Sequence, residues 1–336
     1  MRQSASPQDH MTKISNRSKR PPSDHFDGRR FFNPTLRERT DPSRLAVLKM
    51  MREPRAAWPA WVENTGVPRL DHPLHDGEIA ITFVNHATFL IQTRGATILT
   101  DPIWSERASP FRRIGPKRVR APGIAFADLP KVDVVLLSHN HYDHLDLATL
   151  GQLRQRCDPI VLHAAGDTRL VAPLGFSRTH ELDWWDAVVL DDALRITFVP
   201  AQHFSARGLF DRRRSLWGGY VIETGGRRIY FGGDSGYSTH FAGIRERLGA
   251  PDIAMLGIGA YAPRWFMQPI HMNPAEAVRA HRDLAARRSI AMHFGTFQLT
   301  TEAIDAPVTE LKRALADSGI AESEFVALDE GETRVY

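Results

Sequence analysis

From Glu78 onward the chain breaks into short β-rich runs, each closed by turn residues. These are IAITFV, ATFLIQT, ATILT, VDVVLLS, PIVLHA, LRITFV, GGYVIET, RRIYFGG, DIAMLGIG and SIAMHF, with FVALDEGETRVY as a final candidate. Runs of this length, rich in β-branched residues, read as strands. Several are apolar on both faces, so their sheets need cover on both sides. Helical patterns supply it. One spans 274–288, with Asn273 as N-cap and Pro274 at the first helical position. Another runs from Pro307 to a stop at Gly319, and a shorter one lies near Phe241–Leu248, closed by Gly249. The reading is a layered α/β fold, with no repeat at a 20–50-residue period and no linker dividing 78–336.

Residues 1–40 are rich in Ser, Pro, Arg and Asn and poor in aliphatics. Such a segment is expected as a disordered basic tail, with Phe31-Phe32-Asn33-Pro34 pinning its end to a folded domain over 41–336. A short helix is expected at Leu45–Met51. Residues 1–55 hold 13 basic and 6 acidic residues, so the overall net charge of +4 leaves −3 on the body. That argues against nucleic acid, which wants a basic face on a folded domain. No apolar run approaches bilayer length, and the N-terminus lacks the apolar core of a signal peptide. The expected location is cytoplasmic or peripheral to a membrane. The single cysteine, Cys157, excludes a disulfide framework and a Cys-rich zinc finger.

The chemistry concentrates in Ser138-His139-Asn140-His141-Tyr142-Asp143-His144, directly after the apolar VDVVLL. In an extended chain residues i and i+2 point the same way, so His139 and His141 can converge on one metal. The turn then carries Asp143 and His144 towards a second position. Four such groups crowded without a cation would leave polar atoms poorly paired. Three more candidates sit at strand ends. His203 follows LRITFVPAQ, Asp234 follows RRIYFGG, and His293 follows SIAM.

These residues resemble the metallo-β-lactamase fold hydrolases. The stretches NHATFLI, LTDPIWSERASPFRRIGPKRVR, LSHNHYDHLD, PAQH, GGDSGY, IGAYAPRWFMQPIHMNPAEAV and MHFGTF bring the resemblance nearer to the members that hydrolyse N-acylphosphatidylethanolamine. It implies a four-layer αβ/βα sandwich with metals at one edge. It also implies two zinc ions, other divalent metals being admitted by the same donors. His139, His141 and His203 would hold one, and Asp143, His144 and His293 the other, with Asp234 bridging. The implied activity is a phospholipase D-type phosphodiesterase, in which water ionised on the metals attacks phosphorus in line. The products would be N-acylethanolamine and phosphatidic acid.

Around this core, His86 reads either as a donor behind the metals or as a capped turn residue. His271, in PIHMNP, is placed to approach the substrate phosphate. Asp101 reads as the orienter of a ligand histidine or as an Asx turn before Pro102. Tyr261, Arg264, Trp265 and Phe266 belong to a loop that reads as a wall for acyl chains or a membrane-dipping lip, or as core. Arg107, Arg112, Arg113, Lys117, Arg118 and Arg120, with Arg212–Arg214 beside Leu209 and Phe210, form two basic runs that read as solvated loops, or as a contact with anionic lipid if they share a surface. The expected partner is a phospholipid, with homodimerisation open. Competing readings are a hydrolase of another small phosphodiester, lactone or ester, a nuclease, and a non-catalytic binder. The family pattern is departed from at Glu330, where a basic residue or histidine is expected at the site mouth.

Overall fold

The computed structural model describes residues 20–36, 41–71, 73–191 and 194–336. The apolar runs become two seven-stranded mixed sheets. The first contains β1 (Ala80–Asn85), β2 (Thr88–Gln92), β3 (Thr97–Thr100), β4 (Val134–Leu137), β5 (Ile160–Ala164), β6 (Thr179–Leu182) and the last strand, β14 (Thr333–Val335). The second contains β7 (Ala187–Asp191), β8 (Leu194–Val199), β9 (Gly219–Thr224), β10 (Arg227–Phe231), β11 (Ile253–Gly257), β12 (Arg288–Met292) and β13 (Phe325–Val326). Their inner faces meet in a core that includes Phe83, Phe89, Leu162, Phe198, Tyr220, Phe231 and Met292.

The outer faces are covered as double-sided apolarity requires. α2 (Leu147–Arg156) lays Leu150 and Leu153 on Val135, Leu137 and Val161 of the first sheet, with α3 (Thr168–Val171) beside it. α4 (His240–Leu248), α6 (Pro274–Leu284) and α7 (Ala306–Ser318) cover the second sheet. The expected four-layer αβ/βα sandwich is the fold observed. α1 (Arg44–Arg52) lies outside it, capped by Ser43, and α5 (Arg264–Met267) is a single turn near the site. Among the described residues, no helix is long and apolar enough to cross a membrane.

Differences from the sequence reading have local causes. α6 ends at Leu284, capped by Ala285 in the left-handed region at φ 50°, rather than at 288, because Arg288 already belongs to β12. The expected C-terminal strand is two strands, β13 and β14, one on each sheet. β6 and β7 carry exposed, polar or irregular stretches and have no clean alternation in sequence. α2 has a weak sequence signal although Asp146 caps it, its side chain accepting from Ala148 N and Thr149 Oγ1; Gly151 in mid-helix lowers its propensity.

Part of the expected tail is packed. Residues 20–36 cross the β8–β9 connection with Phe26, Phe31, Phe32 and Asn33 buried. Phe31 N–H donates to Arg213 O at 2.8 Å, and Phe26 and Phe31 bridge each other. Burial of three phenylalanines outweighs the polar composition around them. Residues 1–19 and 37–40 of the expected tail lie outside the described residues.

Candidate metal centre

β8, β10 and β12 run in the same direction, so the residues after them gather at one edge of the sandwich. His203, Asp234 and His293 arrive there from the second sheet. His139–His144 arrives from β4 of the first. Gly233 makes the close approach possible. Its φ is +56°, and a Cβ there would lie 2.7 Å from Gly218 O and 2.8 Å from Ser138 Cβ. His86, Asp101 and His293 are non-glycine residues at φ 48°, 32° and 63°, a conformation that persists only where its surroundings over-determine it.

All seven expected metal ligands converge. Two groups of donors form, His139/His141/His203/Asp234 and His86/Asp143/His144/His293, each with its ligand atoms within 4.8 Å of one another. Asp234 joins them. Its Oδ2 lies 3.8 Å from His139 Nε2, 3.6 Å from His203 Nε2, 3.2 Å from His144 Nε2 and 3.1 Å from His293 Nε2. In the first group, His141 Nδ1 sits 2.8 Å from His139 Nε2 and 3.2 Å from His203 Nε2.

The residues fit divalent cations. Three imidazole nitrogens pointed at one spot repel unless a cation or proton lies among them. His144 Nε2, His293 Nε2 and Asp234 Oδ1 are buried with no hydrogen-bond partner among the described residues, an expense that polar groups rarely bear without an ion or water. Burial holds His139 well below the ordinary 6.5 and lowers His141 to about 4 and His203 to about 3, so these rings are neutral, as ligation requires. The other half differs. Burial alone would lower His144 and His293. The carboxylates Asp234 and Asp143, joined at His144 by Asp101, outweigh it and raise His144 well above 6.5 and His293 to about 9. Burial opposes the charge on Asp143 and Asp234, yet the surrounding histidines hold both carboxyls well below the usual range. This carboxylate pair calls for positive charge, from protons or from the cations that replace them.

The shell behind the donors is specific. Asp101, fully buried, accepts from Ser138 N at 2.7 Å, Ser138 Oγ at 2.5 Å and His144 Nδ1 at 2.7 Å. Of its two readings, the orienting one is the geometry observed. His86 is also more than a turn residue. Its Nε2 is 2.9 Å from Asp143 Oδ2, and its carbonyl accepts from His293 N at 2.7 Å. Arg207, which the sequence reading passed over, donates to Asn140 O at 2.9 Å and Leu145 O at 2.7 Å and stacks on Tyr142. No motif marks it. His271 approaches the cluster with Nε2 4.0 Å from Asp234 Oδ2. Its ring is largely buried, and burial holds its pKa well below 6.5.

The outer residues divide. Trp265 is 46% exposed and Phe266 half-buried. Tyr261 is buried instead of forming an open wall. Arg264 is committed to Tyr261 O, His271 O and Glu276, so it braces the loop. The first basic run does not form one face. Arg118 is buried and donates to Ser105 O and Ile103 O, and Arg120 pairs with the buried Glu330. Glu330 therefore lies inside, behind Gly295, and not at the mouth. In the second run, Arg212 and Arg213 bind Asp41.

The chain matches the family described as "Beta-lactamase superfamily domain" over residues 96–294. It is 38% identical over 263 residues to the Caenorhabditis elegans N-acyl-phosphatidylethanolamine-hydrolyzing phospholipase D 1, covering 75% of this chain and 74% of that protein. The mitochondrial enzyme of that type from Saccharomyces cerevisiae is 35% identical, covering 65% and 48%. Among solved structures, the isothiocyanate hydrolase from Delia radicum gut bacteria aligns with TM-score 0.59 at 24% identity, covering 76% and 99%. A metallo hydrolase from Ignicoccus hospitalis aligns at 0.58 and 23%, covering 77% and 98%; at such identity these two speak for the fold alone. Sequence, sandwich and donor cluster agree, and the chain belongs to the β-lactamase superfamily as a metal-dependent hydrolase of the metallo-β-lactamase fold.

Proposed function

We propose that the protein is a dizinc phosphodiesterase of phospholipase D type, acting on N-acylphosphatidylethanolamine-like phospholipids. The observation that carries the two-metal reading is Asp234 Oδ2, within 3.8 Å of a histidine nitrogen in each donor group. The substrate class is supported by the relatives at 35–38% identity. In this reading His139, His141 and His203 would hold one ion, Asp143, His144 and His293 the other, and Asp234 would serve both. Two divalent cations held there would lower the pKa of water towards neutrality and neutralise charge on a phosphoryl group.

The chain's own residues do the rest. Asp101 fixes the His144 tautomer by accepting a hydrogen bond from its Nδ1–H, so that Nε2 faces the centre. His86 holds the Asp143 carboxylate. His271 stands neutral beside Asp234, where its N–H can meet a non-bridging phosphate oxygen. Trp265 and Phe266 offer apolar surface to acyl chains. Leu209 and Phe210, 92% and 81% exposed, are suited to dip into a bilayer beside Arg212, since exposed apolar side chains in company mark contact surfaces.

The reaction breaks the P–O bond to N-acylethanolamine, which leaves with a proton, and puts the water oxygen on phosphatidic acid. The test is purified, zinc-loaded protein given N-acylphosphatidylethanolamine vesicles or soluble diesters in oxygen-18 water. Vesicle turnover with label in the phosphate is expected. Label in the alcohol, or turnover of soluble esters alone, would sink the proposal.

A further inference from the structure

We infer that the segment 20–36 is a working part of the metal centre and that Asn33 is the positioning residue for His203. This rests on the reading of His203 as a ligand.

His203 lies beyond the end of β8, where no sheet ladder holds its backbone. Its N–H and C=O are instead satisfied by one side chain from 170 residues away. Asn33 Nδ2 donates to His203 O at 2.8 Å, and Asn33 Oδ1 accepts from His203 N at 3.2 Å. Trp217 Nε1 donates to the same Oδ1 at 3.0 Å. The His203 ring is held separately, its Nδ1 2.9 Å from Ile270 O, which leaves Nε2 for the centre. A primary amide suits this place because it pairs one donor with one acceptor in a fixed plane. A carboxylate cannot donate, and a hydroxyl is too short to span both atoms.

The rest of the segment keeps Asn33 in place. Phe31 N–H donates to Arg213 O and Phe32 N–H to His25 O, both at 2.8 Å. Thr35 Oγ1 donates to Gln202 Oε1 at 2.6 Å, one residue before the ligand. The strap thus closes over the chain that carries both His203 and Arg207. Partners behind a metal ligand commonly set metal affinity by about 10–100-fold.

The experiment measures Zn2+ affinity of the full chain by competition with a chromophoric chelator, alongside Tm. Asn33→Ala is expected to weaken one class of bound zinc by about 10–100-fold. Phe31→Leu, which trims the strap's anchor and leaves the amide, is expected to lower Tm with zinc affinity kept. Wild-type zinc affinity in Asn33→Ala would overturn the inference and leave Asn33 a structural residue. Should that variant fail to fold, Asn33→Ser is read instead, with the same two outcomes. If the wild-type chain binds no zinc, it is the reading of the centre itself that fails.

Discussion

The two halves of the donor cluster are held by different means. The half with Asp143, His144 and His293 is set by sheet ends and buried charge. Asp101, just past the end of β3, and His86, in the β1–β2 turn, hold its donors His144 and Asp143, and His293 directly follows β12. The half with His141 and His203 is set by loops. Its supports are the Asn33 amide, the Ile270 carbonyl and the Arg207 guanidinium, all neutral contacts or contacts to backbone. The electrostatics follow the same division, since the loop-held rings are neutral and the sheet-held pair is drawn to positive charge. One half is therefore a property of the sandwich, and the other depends on what is wrapped around it.

The largest effect should come from the one residue the halves share. Asp234→Asn keeps the volume and removes the bridging charge. Metal stabilisation of phosphoryl charge is worth several kcal/mol, and each 1.4 kcal/mol is tenfold in rate. A fall in kcat of at least about 100-fold is expected, with bound metal reduced and circular dichroism unchanged. Near-normal kcat would remove the bridge and dissolve the distinction between halves.

Asp101→Asn should weaken the sheet-held half most, since Asp101 reaches the other half only through Ser138 Oγ, 2.9 Å from His139 Nδ1. Three donors converge on the Asp101 carboxylate, and an amide turns two hydrogens towards groups that also donate. The His144 tautomer is then no longer fixed. Zinc affinity of one class is expected to fall by about 10–100-fold, with the His203 class weakened less, as read by chelator competition. Equal weakening of both classes would show that the halves are mechanically coupled.

What was legible in the sequence follows the same line. His139, His141, Asp143 and His144 announce themselves by density, and His203, Asp234 and His293 by their place after apolar runs. Both signals are local and come from strand ends. Asn33 and Arg207 carry no local signal. Their roles exist only through contacts between distant segments, 170 and 67 residues apart. The basic run at 107–120 shows the converse. Charge in sequence does not tell which side chains share a face, and Arg118 and Arg120 point inward because Ile103 O, Ser105 O and Glu330 await them. That the sheets are covered on both faces is readable because a two-sided apolar strand admits few surroundings, while the four-layer sandwich follows from the family resemblance. The split of the C-terminal run between sheets is not readable, since both short strands look alike in sequence.

The smallest effect concerns the buckle of the strap. His25 stacks on Trp184, with Nε2 2.7 Å from Asp183 Oδ1 and Nδ1 2.6 Å from Asp24 Oδ1. Arg20 also bonds Asp183, and Ser23 lies beside the ring. Burial alone would lower the His25 pKa, but the bonds to Asp183 and Asp24 outweigh it and raise it above 6.5. A raised folded value means that the folded chain holds this proton more tightly than the unfolded chain. The stabilisation is then full below pH 6.5 and is lost as pH rises through the folded value. His25→Gln keeps the size and polarity without the charge. Its Tm should lie about 1–2 °C below wild type at pH 6 and approach it as pH rises through the folded value, in calorimetry on the zinc-loaded protein. Divergence on the alkaline side instead would mean that the strap is held by its phenylalanines and the Asn33 amide alone. The loop-held half would then owe nothing to charge, and its contrast with the half built around Asp101 would be complete.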